Sequence, residues 1–320
     1  MKNPFIIAEI GSNHSGDINI AKKLIRTSKK IGASAVKFQL FKSFEFEGLT
    51  KDQYKNLKKN EFPERWIDEI VKYSKKINIE LIFSVFGSYS LDLILKYKFK
   101  YIKIASSEIT NLNLLAKVSN NFKYVILSTG MSSEKDIVLA RETLNNFGKS
   151  NIIVLHCVAD YPTKIKDLNL SFIDTLKVLK FHKIGFSDHT ESNIPSIVSI
   201  GKGCVFFEKH ITLNRKDEGP DHFYALEPKE FEQYVCDIKD AFKSLGDNKK
   251  RFSESERKYG RRAGLYINKN LKKNHIIKRN DFYIKIPSLG IREIYADAVI
   301  GKKIKKNIKK DNPIYFEDLD

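Results

Sequence analysis

The chain has 320 residues, 42% of them hydrophobic, and it carries a formal net charge of +18. This composition excludes a disordered chain, no apolar run is long enough to cross a bilayer, and no signal-peptide pattern follows Met1, so a cytoplasmic location is expected. The lysines and arginines are scattered along the chain without an aromatic–basic recognition motif, which argues against nucleic acid as a partner and favours attraction of small anions.

Eight short apolar segments are predicted to be β-strands, each followed by a helix. The first, Phe5–Ile10, precedes a loop and a helix whose apolar face contains Leu24 and Ile25. The second, Ala35–Leu40, is followed by a polar, lysine-rich insertion, and Pro228 opens the helix that closes the series. The other predicted strands are Glu80–Val85, Tyr101–Ala105, Tyr124–Leu127, Ile152–Cys157, the segment that begins at Lys183, and Cys204–Phe207.

The even spacing of these units, about thirty residues each, predicts a (β/α)8 barrel of the α/β class. An open, doubly wound sheet is the competing architecture, and it would gather polar residues at one switch point. Here nearly every strand ends in polar side chains, which a barrel would bring together at one mouth. These residues are Glu9, Lys37, Lys103, Ser106, Glu108, Ser128, His156, Ser187, His189, Glu208 and His210.

A change of composition after Leu245 predicts a second domain. The barrel is assigned to residues 1–245, a charged linker to 246–258, and a small β-rich domain to 259–320. The last segment consists of short strands and turns rich in lysine, and it is too small and too broken for another barrel unit. A domain of this size has a modest core, so we expect it to rest on a partner surface.

Two histidines, His189 and His210, follow successive predicted strands, and they meet at one rim if those strands are parallel neighbours. Two imidazoles with carboxylates nearby suit a divalent cation that keeps open positions for substrate. Lysines within strands are costly to bury unless they meet an anion, so Lys37 and Lys103 predict a phosphate or carboxylate ligand. An anionic substrate beside a metal-polarised carbonyl points to formation or cleavage of a carbon–carbon bond.

A simpler interpretation exists for each of these residues. Either histidine alone is also typical of an ordinary polar strand end, and Glu9 with Lys37 also fits an internal ion pair. Two alternative functions stay open. One is another metal-dependent barrel enzyme, such as an aldolase or a hydrolase acting on a phosphorylated sugar, and the other is a noncatalytic carbohydrate- or anion-binding protein.

The barrel part of the chain also contains a set of short motifs: Phe5–Gly11, Asn13-His14, Gly16-Asp17, Gly32-Ala33, Ala35–Gln39, Lys103–Ser106, Ile126–Met131, His156-Cys157, Tyr161-Pro162, Ser187–Thr190, Glu208–His210 and Gly219–His222. In combination these motifs resemble the sialic acid synthases, a family that includes the N-acetylneuraminate, legionaminate and pseudaminate synthases. The resemblance extends over nearly the whole chain, because Tyr259–Asp320 is similar to the antifreeze-like (SAF) C-terminal domain of that family.

The resemblance implies a transferase that condenses phosphoenolpyruvate with the open-chain aldehyde of an N-acetylated amino sugar, either N-acetylmannosamine or a 6-deoxy diacetamido hexose. The products would be a nine-carbon 2-keto-3-deoxy acid and phosphate. By the same resemblance, His189 and His210 hold Mn²⁺, or Mg²⁺ or Co²⁺ in its place. C3 of phosphoenolpyruvate attacks the polarised aldehyde, water adds at C2, and the tetrahedral intermediate expels phosphate.

The resemblance also implies a homodimer, in which the small domain of one subunit covers the barrel mouth of the other, and roles for the other rim residues. The residues that match positions holding phosphoenolpyruvate are Lys37, Lys103, Ser106, Ser128 and Ser187. The residues that match positions contacting sugar, water or the metal shell are Glu9, Gln39, Glu108, Glu208, Tyr161 and Asp221. The three glutamates of this second set are expected to be catalytic, together with the two histidines.

The chain departs from the family pattern at three places that bear on the choice of sugar. Lys285-Ile286-Pro287 stands where family members often carry a Lys-Arg-Pro whose arginine reaches the sugar, and whether Arg262 or Arg292 replaces that arginine is left open. Ala159 stands where an amide or hydroxyl commonly helps to bind phosphoenolpyruvate. Ser84–Gly87 replaces a more usual Thr-Pro-Phe-Asp. The metal and anion residues are intact, so the core mechanism is expected to survive.

Overall fold

The computed structural model describes residues 3–259 and 261–320 and, for 257–259, the backbone only. The chain divides into two compact units, Met1–Gly246 and Asp247–Asp320. Met1, on which the expectation about a signal peptide depends, lies outside the described residues. Gly260 of the predicted second domain lies outside them as well. Each unit has an apolar core of its own.

The first unit is built on eight parallel strands that close into a barrel, which confirms the predicted (β/α)8 fold. Each strand pairs with the next one in the chain, and the last strand closes the sheet by pairing with the first. The strands are β1 (Phe5–Gly11), β2 (Ala35–Leu40), β3 (Glu80–Val85), β4 (Tyr101–Ile104), β5 (Tyr124–Ser128), β6 (Asn151–Cys157), β7 (Lys183–Asp188) and β8 (Phe206–His210).

Helices pack around the outside of the barrel, and none of those described is long and apolar enough to cross a membrane. Local signals set their ends: Asp17 accepts a hydrogen bond from the Asn19 N–H at 2.7 Å where the first helix begins, and Gly32 ends that helix with a left-handed φ of 96°. The helices of this unit are α1 (Ile18–Ile31), α2 (Lys51–Asn60), α3 (Ile67–Lys76), α4 (Ser88–Leu95), α5 (Leu112–Asn121), α6 (Glu134–Phe147), α7 (Phe172–Val178), α8 (Ile194–Gly201) and α9 (Pro228–Ser244).

The alternation of side chains along each strand decides what lies inside the barrel. At its base, inward-facing residues form a separate apolar cluster that includes Ile7, Ile82 and Phe206. Two residues further along, the same face carries titratable groups, as in the steps from Ile7 to Glu9 and from Phe206 to Glu208. Outward-facing residues pack under the helices and form the main core. The barrel therefore holds its charged side chains above an apolar floor.

The eighth strand is longer at its carboxyl end than predicted. Its pairing with β1 continues to the register in which Glu9 is aligned with His210. Glu208, Lys209 and His210 therefore belong to the strand itself instead of following it. Because successive strand residues face opposite sides, Glu208 and His210 share the inner face while Lys209 points outward.

His156 does not lie at the barrel mouth, so its prediction as a rim residue is wrong. It occupies an outward-facing position of β6, where its Nε2 lies 2.7 Å from the Leu168 carbonyl oxygen. Its ring stacks on that of Phe186, with centroids 5.9 Å apart. The next residue, Cys157, takes the inward-facing position instead. The error arises because proximity to a strand end does not fix which face a residue occupies.

The second unit has a small aliphatic core, in which Leu265 and Ile304 are fully buried. Several large apolar side chains of this unit are exposed, among them Ile284, Ile294 and Phe316. Its regular elements are the short helix α10 (Glu254–Tyr259), the antiparallel strands β9 (Gly264–Ile267) and β10 (Phe282–Lys285), and the short helix α11 (Ala296–Val299).

Candidate active site

His189 and His210 lie side by side at the carboxyl end of the barrel. His210 is the last residue of β8 and His189 directly follows β7, so parallel pairing of these strands brings the rings together. The ring centroids are 5.5 Å apart, and both side chains are buried. A cation bonded at about 2.1 Å to one nitrogen of each ring would hold the centroids roughly 5 Å apart. The observed spacing fits two ligands of one cation.

A backbone carbonyl orients His189. The Val158 carbonyl oxygen lies 3.0 Å from Nδ1 of His189 and can only accept, so Nδ1 carries a proton and donates it. Burial would lower the pKa of His189 but Cys157 leaves it raised, so Nε2 has a lone pair for a cation when the ring is in its neutral form. The Cys157 thiol lies 4.0 Å from the same nitrogen. A carbonyl partner of this kind is typical of metal-binding histidines, because it fixes the tautomer and the ring orientation.

Tyr224 and Asp221 lie against His210. The Tyr224 hydroxyl is 3.4 Å from Nδ1 of His210 and donates a hydrogen bond to Asp221 Oδ1 at 2.9 Å. Burial lowers the pKa of His210 to about 3, although Asp221 opposes the shift. The imidazole is therefore neutral at physiological pH, as a metal ligand must be.

Asp221 is held from the side of β1. The Ser12 N–H and hydroxyl both donate to Asp221 Oδ2, at 3.2 and 3.1 Å. The preceding residue, Gly11, has a φ of 53°, and a Cβ at this position would lie 2.5 Å from the same oxygen. Burial opposes ionisation of Asp221, but His210, Tyr224 and Ser12 leave its pKa lowered. Both conformation and space therefore require glycine where Asp221 approaches the backbone.

Two lysines and two glutamates form a charge cluster inside the barrel. Lys37 Nζ lies 2.7 Å from Glu9 Oε2 and 3.7 Å from Glu208 Oε1. Lys103 Nζ lies 3.5 Å from the same Glu208 oxygen. None of the four side chains is more than 4% exposed. The ion pair between Glu9 and Lys37 is thus formed, as one part of a larger cluster with equal numbers of positive and negative groups.

The cluster sets the protonation of its members. Burial would raise the pKa of Glu208, but Lys103 and Lys37 lower it to about 2. Burial likewise works against the charge on Lys37, yet Glu208 and Glu9 leave its pKa raised. At Lys103 burial prevails and lowers the pKa, and at Glu9 burial prevails and raises it. Glu208 is therefore ionised at neutral pH, and Glu9 is the carboxyl group that is protonated more readily.

Two further predicted residues contact this cluster. The Gln39 side-chain amide donates a hydrogen bond to Glu9 Oε1 at 3.0 Å, and the Ser187 hydroxyl donates to Glu208 Oε1 at 3.1 Å. Glu9 thus has one neutral donor besides Lys37, and Glu208 has one besides Lys37 and Lys103. These donors fix the carboxylate planes and satisfy buried acceptors that would otherwise be unpaired.

Two predicted serines lie close to each other in the fold: Ser128 ends β5, and Ser106 begins the 3₁₀ turn after the neighbouring strand β4. The Ser106 hydroxyl accepts a hydrogen bond from the Gly130 N–H at 2.9 Å. Ser128 is 1% exposed, and its hydroxyl has no hydrogen-bond partner within the described part of the chain. A buried hydroxyl without a partner is uncommon, and it leaves a donor available to a ligand.

A cleft of about 460 Å³ opens beside His210. Tyr161 is 45% exposed, and its ring centroid lies 4.3 Å from that of His189, which places a phenol at the entrance. Burial raises the pKa of Tyr161 above its ordinary range, so the hydroxyl stays protonated. Five of the predicted site residues line the cleft: Gln39, Ser106, Tyr161, His210 and Asp221.

Glu108 is not brought into the group formed by the other predicted residues. It is buried in a 3₁₀ turn after β4, and its Oε2 accepts a hydrogen bond from the Asn111 side chain at 3.0 Å. Asn111 in turn accepts from the Leu114 N–H and caps α5. In the described structure, Glu108 therefore supports the start of a helix.

A buried ion pair lies on the outer side of the sheet, behind the two histidines. Lys209 Nζ is 3.0 Å from Asp188 Oδ2, and these side chains are 2% and 0% exposed. Asp188 also accepts from the Thr190 N–H at 2.9 Å and from the Ser196 hydroxyl at 2.8 Å. The pair therefore connects the residue before His189 with the residue before His210 and fixes the two strand ends to each other.

Sequence reasoning did not single out Ser12 or Tyr224, although both hold Asp221. Each lies in or beside a recognised motif, Ser12 directly after Gly11 and Tyr224 shortly after Gly219–His222. Strand alternation was the signal that could have found Lys209 and Asp188, because it assigns them to the face opposite the histidines.

The three residues of the second unit that bear on sugar choice differ in exposure. Ile286 and Arg262 are exposed, and Arg292 is half-buried.

Comparison with known proteins gives matches over most of the chain. The model of the NeuB family matches residues 24–250, and that of the SAF domain matches residues 262–320. An uncharacterized protein of Methanocaldococcus jannaschii is 38% identical over 317 residues, covering 98% of this chain and 94% of that protein. The N,N'-diacetyllegionaminic acid synthase of Campylobacter jejuni is 35% identical over 332 residues, covering 98% of this chain and 99% of the enzyme.

A solved structure resembles the fold as well. The crystal structure of N-acetylneuraminic acid (sialic acid) synthetase from Leptospira borgpetersenii, in complex with citrate, superposes with a TM-score of 0.75 at 34% sequence identity. The match covers 80% of this chain and 90% of that one. The resemblance to sialic acid synthases that the motifs indicated is confirmed by these findings.

Proposed function

This chain belongs to the NeuB family, and we propose on that basis that it condenses phosphoenolpyruvate with the open-chain aldehyde of an N-acetylated amino sugar. Its relatives are synthases, and it is an enzyme of the same type. The products are a nine-carbon 2-keto-3-deoxy acid and phosphate. The observation that carries the proposal is the pair of buried histidines beside a lysine–glutamate cluster at one barrel mouth.

Phosphoenolpyruvate binds, in this proposal, beside Lys103 and the two serines. Ser128 has a buried hydroxyl with no partner among the described residues, and Ser106 begins the 3₁₀ turn that follows the neighbouring strand β4. Lys103 is the cluster lysine without a close carboxylate, since its nearest ion-pair distance is 3.5 Å against 2.7 Å for Lys37. An anionic ligand offers Lys103 a better partner than it has in the cluster.

A divalent cation binds, in this proposal, to His189 and His210. Mn²⁺ is the first choice, and Mg²⁺ or Co²⁺ are alternatives. The fit is supported by the 5.5 Å ring spacing, the neutral His210 and the free Nε2 of His189. No group of three or more His, Cys, Asp or Glu side chains is placed to hold a metal within residues 3–259 and 261–320, so water and substrate would complete the coordination. When bound, the ion supplies a Lewis acid for the aldehyde carbonyl.

The remaining parts of the reaction are proton transfer and the positioning of the lysines, and both are assigned to side chains. The electron pair of the enol forms the new bond from C3 of phosphoenolpyruvate to the aldehyde carbon, and water adds at C2. The C2–O bond to phosphate breaks, which leaves a ketone and free phosphate. We assign to Glu9 the proton that the aldehyde oxygen gains as it becomes a hydroxyl and the proton that the added water loses, because the pKa of Glu9 is raised and that of Glu208 is lowered. Glu208 stays ionised and holds Lys37 and Lys103 in position.

We also propose that the protein is a homodimer in which the second unit of one subunit covers the barrel mouth of the other. Exposed apolar residues of the second unit support an association: Ile284, Leu289, Ile294 and Phe316 are each at least 56% exposed. Sedimentation at micromolar concentration tests this assignment, and a monomer there would contradict it.

An assay of phosphate release tests the proposed reaction. We expect release only when phosphoenolpyruvate, a divalent cation and an N-acetylated hexose are all present, and removal of the cation by a chelator should abolish turnover until Mn²⁺ is restored. Release of phosphate without any sugar would identify a hydrolase instead.

Replacing both histidines with alanine separates the synthase from a noncatalytic binder. We expect a loss of roughly 10³-fold in activity, since a Lewis acid contributes several kcal/mol and each 1.36 kcal/mol is tenfold in rate. Mn²⁺ binding by calorimetry should disappear as well. His182→Ala is the control, because His182 is exposed and precedes β7. If the wild type and the double-alanine variant bound carbohydrate equally well and neither showed turnover, the noncatalytic binder would be favoured.

A further inference from the structure

The insertion between β2 and α3 is a loop whose two ends meet at a neck, where side-chain contacts hold them together. Near its start, the Ser43 N–H and hydroxyl donate to Glu61 Oε1 at 2.8 and 2.7 Å, and Glu61 lies just after α2. Lys42 Nζ lies 2.9 Å from Glu64 Oε1 at the same neck. The two ends of the insertion are therefore fastened together, although α2 itself has no buried residue.

A second contact fastens the insertion to the barrel. Glu45 Oε1 accepts from the Ser90 N–H at 3.0 Å and from its hydroxyl at 3.2 Å, at the start of α4. A side chain in place of Gly87 would collide with this carboxylate. Phe86, directly before Gly87, then packs against Phe41 and Phe46, with all three centroid distances at 5.7 Å. Gly87, the last residue of the segment that departs from the family pattern, therefore leaves the space that the Glu45 carboxylate occupies.

The insertion and the barrel mouth enclose a second cleft of about 530 Å³. Gln39, Phe86, Pro220 and Asp221 line both this cleft and the one beside His210, so the two clefts adjoin each other. The remaining wall of the second cleft is mostly apolar, and three side-chain amides are set into it. The apolar residues are Phe41, Phe46, Leu49 and Leu57, and the amides belong to Gln53, Asn56 and Asn60.

The charge of this cleft is unusual for so basic a chain. Within the part of the molecule that is described, its lining includes no lysine or arginine, and its charged side chain is Asp221. An anionic group placed here would be removed from water without a cationic partner and would lie near a carboxylate. A neutral group with methyl ends and amide dipoles, in contrast, would meet apolar walls and side-chain amides.

We propose that this cleft binds the end of the acceptor sugar remote from its aldehyde, and that it selects a neutral acceptor with a methyl group at C6 and an acetamido group at C4. The inference rests on the proposed function, because it takes the reacting carbon to lie at the histidines. A 6-phosphorylated amino sugar is excluded by charge. N-acetylmannosamine is disfavoured, because its C6 hydroxyl and C4 hydroxyl replace methyl-bearing groups against Phe41, Phe46 and Leu57.

Acceptor competition with the unmodified full-length protein tests the inference. The probes are 2,4-diacetamido-2,4,6-trideoxymannose, N-acetylmannosamine and N-acetylmannosamine 6-phosphate, each supplied with phosphoenolpyruvate and Mn²⁺. We expect kcat/KM for the first to exceed that for the second by about 10-fold to 100-fold, the range that an apolar pocket achieves for small substituents. The third should give no turnover. Equal use of the first two, or use of the phosphate ester, overturns the inference and leaves the proposed function intact; no turnover with any probe overturns both.

Two substitutions on α2 locate the effect. Leu57→Ser should raise KM for the diacetamido acceptor about tenfold while kcat and the KM for phosphoenolpyruvate stay unchanged. Lys55→Ser is the matched control, because Lys55 is exposed on the same helix and does not line the cleft. Leu57→Lys should in addition admit the 6-phosphorylated sugar. An identical response of the two serine variants would assign the change to the helix as a whole and contradict the subsite.

Discussion

The barrel mouth and the second unit bury carboxylates in different ways. In the barrel, Glu208 is paired with Lys103, and both side chains are 4% exposed. In the second unit, Asp281 is 1% exposed, but its partner Lys269 is 59% exposed. A large barrel can enclose both members of an ion pair, whereas the small unit leaves its cation in water and avoids that desolvation.

This difference distinguishes the buried carboxylates of the candidate active site from a buried carboxylate that stabilises the fold. Asp281 accepts from the Lys278 N–H at 2.8 Å and from His275 Nε2 at 2.6 Å, so it fastens a turn. Glu9 and Glu208 fasten no turn, and Glu9 instead accepts a hydrogen bond from Gln39, which lines the cleft. An enclosed charge cluster is weak evidence of stability, and its perturbed pKa values make it a candidate functional site.

The largest effect on folding is expected from Glu208→Gln. The change leaves Lys37 and Lys103 inside the barrel with Glu9 as their remaining carboxylate, and loss of one partner from a buried pair costs about 3–5 kcal/mol. The single tryptophan of the chain, Trp66, is buried in the barrel unit, so its fluorescence in a urea titration reports this loss.

The control for that experiment is Glu69→Gln. Glu69 pairs with Lys22 on the surface, and its side chain is 53% exposed, so a loss below about 1 kcal/mol is expected. Equal losses of unfolding free energy in the two variants would mean that the barrel ion pairs contribute no more to stability than a surface pair does.

A smaller effect is expected from Lys209→Met. Asp188 keeps its hydrogen bonds from Thr190 and Ser196, so the free energy of unfolding should fall by about 2–3 kcal/mol. Because the pair lies behind both histidines, Mn²⁺ affinity should fall about 10-fold to 100-fold. Calorimetry measures the affinity, and Lys202→Met, which breaks a surface pair with Asp174, is the control. A stability loss without any change in Mn²⁺ affinity would limit the pair to a role in folding.

The smallest effect belongs to the second unit and depends on pH. Burial opposes ionisation of Asp281, but Lys269, His275 and the Lys278 N–H lower its pKa from 3.8 to about 2. A lowered pKa stabilises the folded state above pH 3.8, and this contribution, at most about 2 kcal/mol, is lost as the pH falls towards 2.

Hydrogen exchange of peptides from residues 264–319 checks this prediction. Wild-type protection should fall between pH 5 and pH 2.5 after correction for intrinsic exchange rates, and Asp281→Asn should abolish most of that dependence. Asp297→Asn serves as the control, because Asp297 is 91% exposed. If the pH dependence of protection persisted in Asp281→Asn, a group other than Asp281 would be responsible for it.

The strands and their order were predictable from the sequence, and so were most residues of the mouth. Glu9, Lys37 and Lys103 lie on strands that the apolar pattern predicted, and Glu208 was predicted directly after the last strand, which in the structure extends to include it. Their partners were not predictable. Which lysine contacts which glutamate depends on register between strands that lie far apart in the chain, and alternation within one strand carries no such information.

The insertion after β2 illustrates the other limit. Its polar, lysine-rich composition indicated an insertion, and nothing in it predicted α2 or the cleft that the segment encloses. Its position depends on Glu45 and Glu61, whose partners come from other parts of the chain and whose role no local pattern indicates. Loop conformation is set by such individual contacts, so sequence periodicity does not reveal it.

By itself, the sequence determined the barrel, the family and the chemical groups available at the strand ends, because periodicity and residue type are local properties. The tertiary structure alone decided that His156 faces outward, that Glu108 supports a helix, and that His189 and His210 stand close enough to share an ion. Those outcomes depend on facing direction and distance, which arise only when strands pair and the barrel closes.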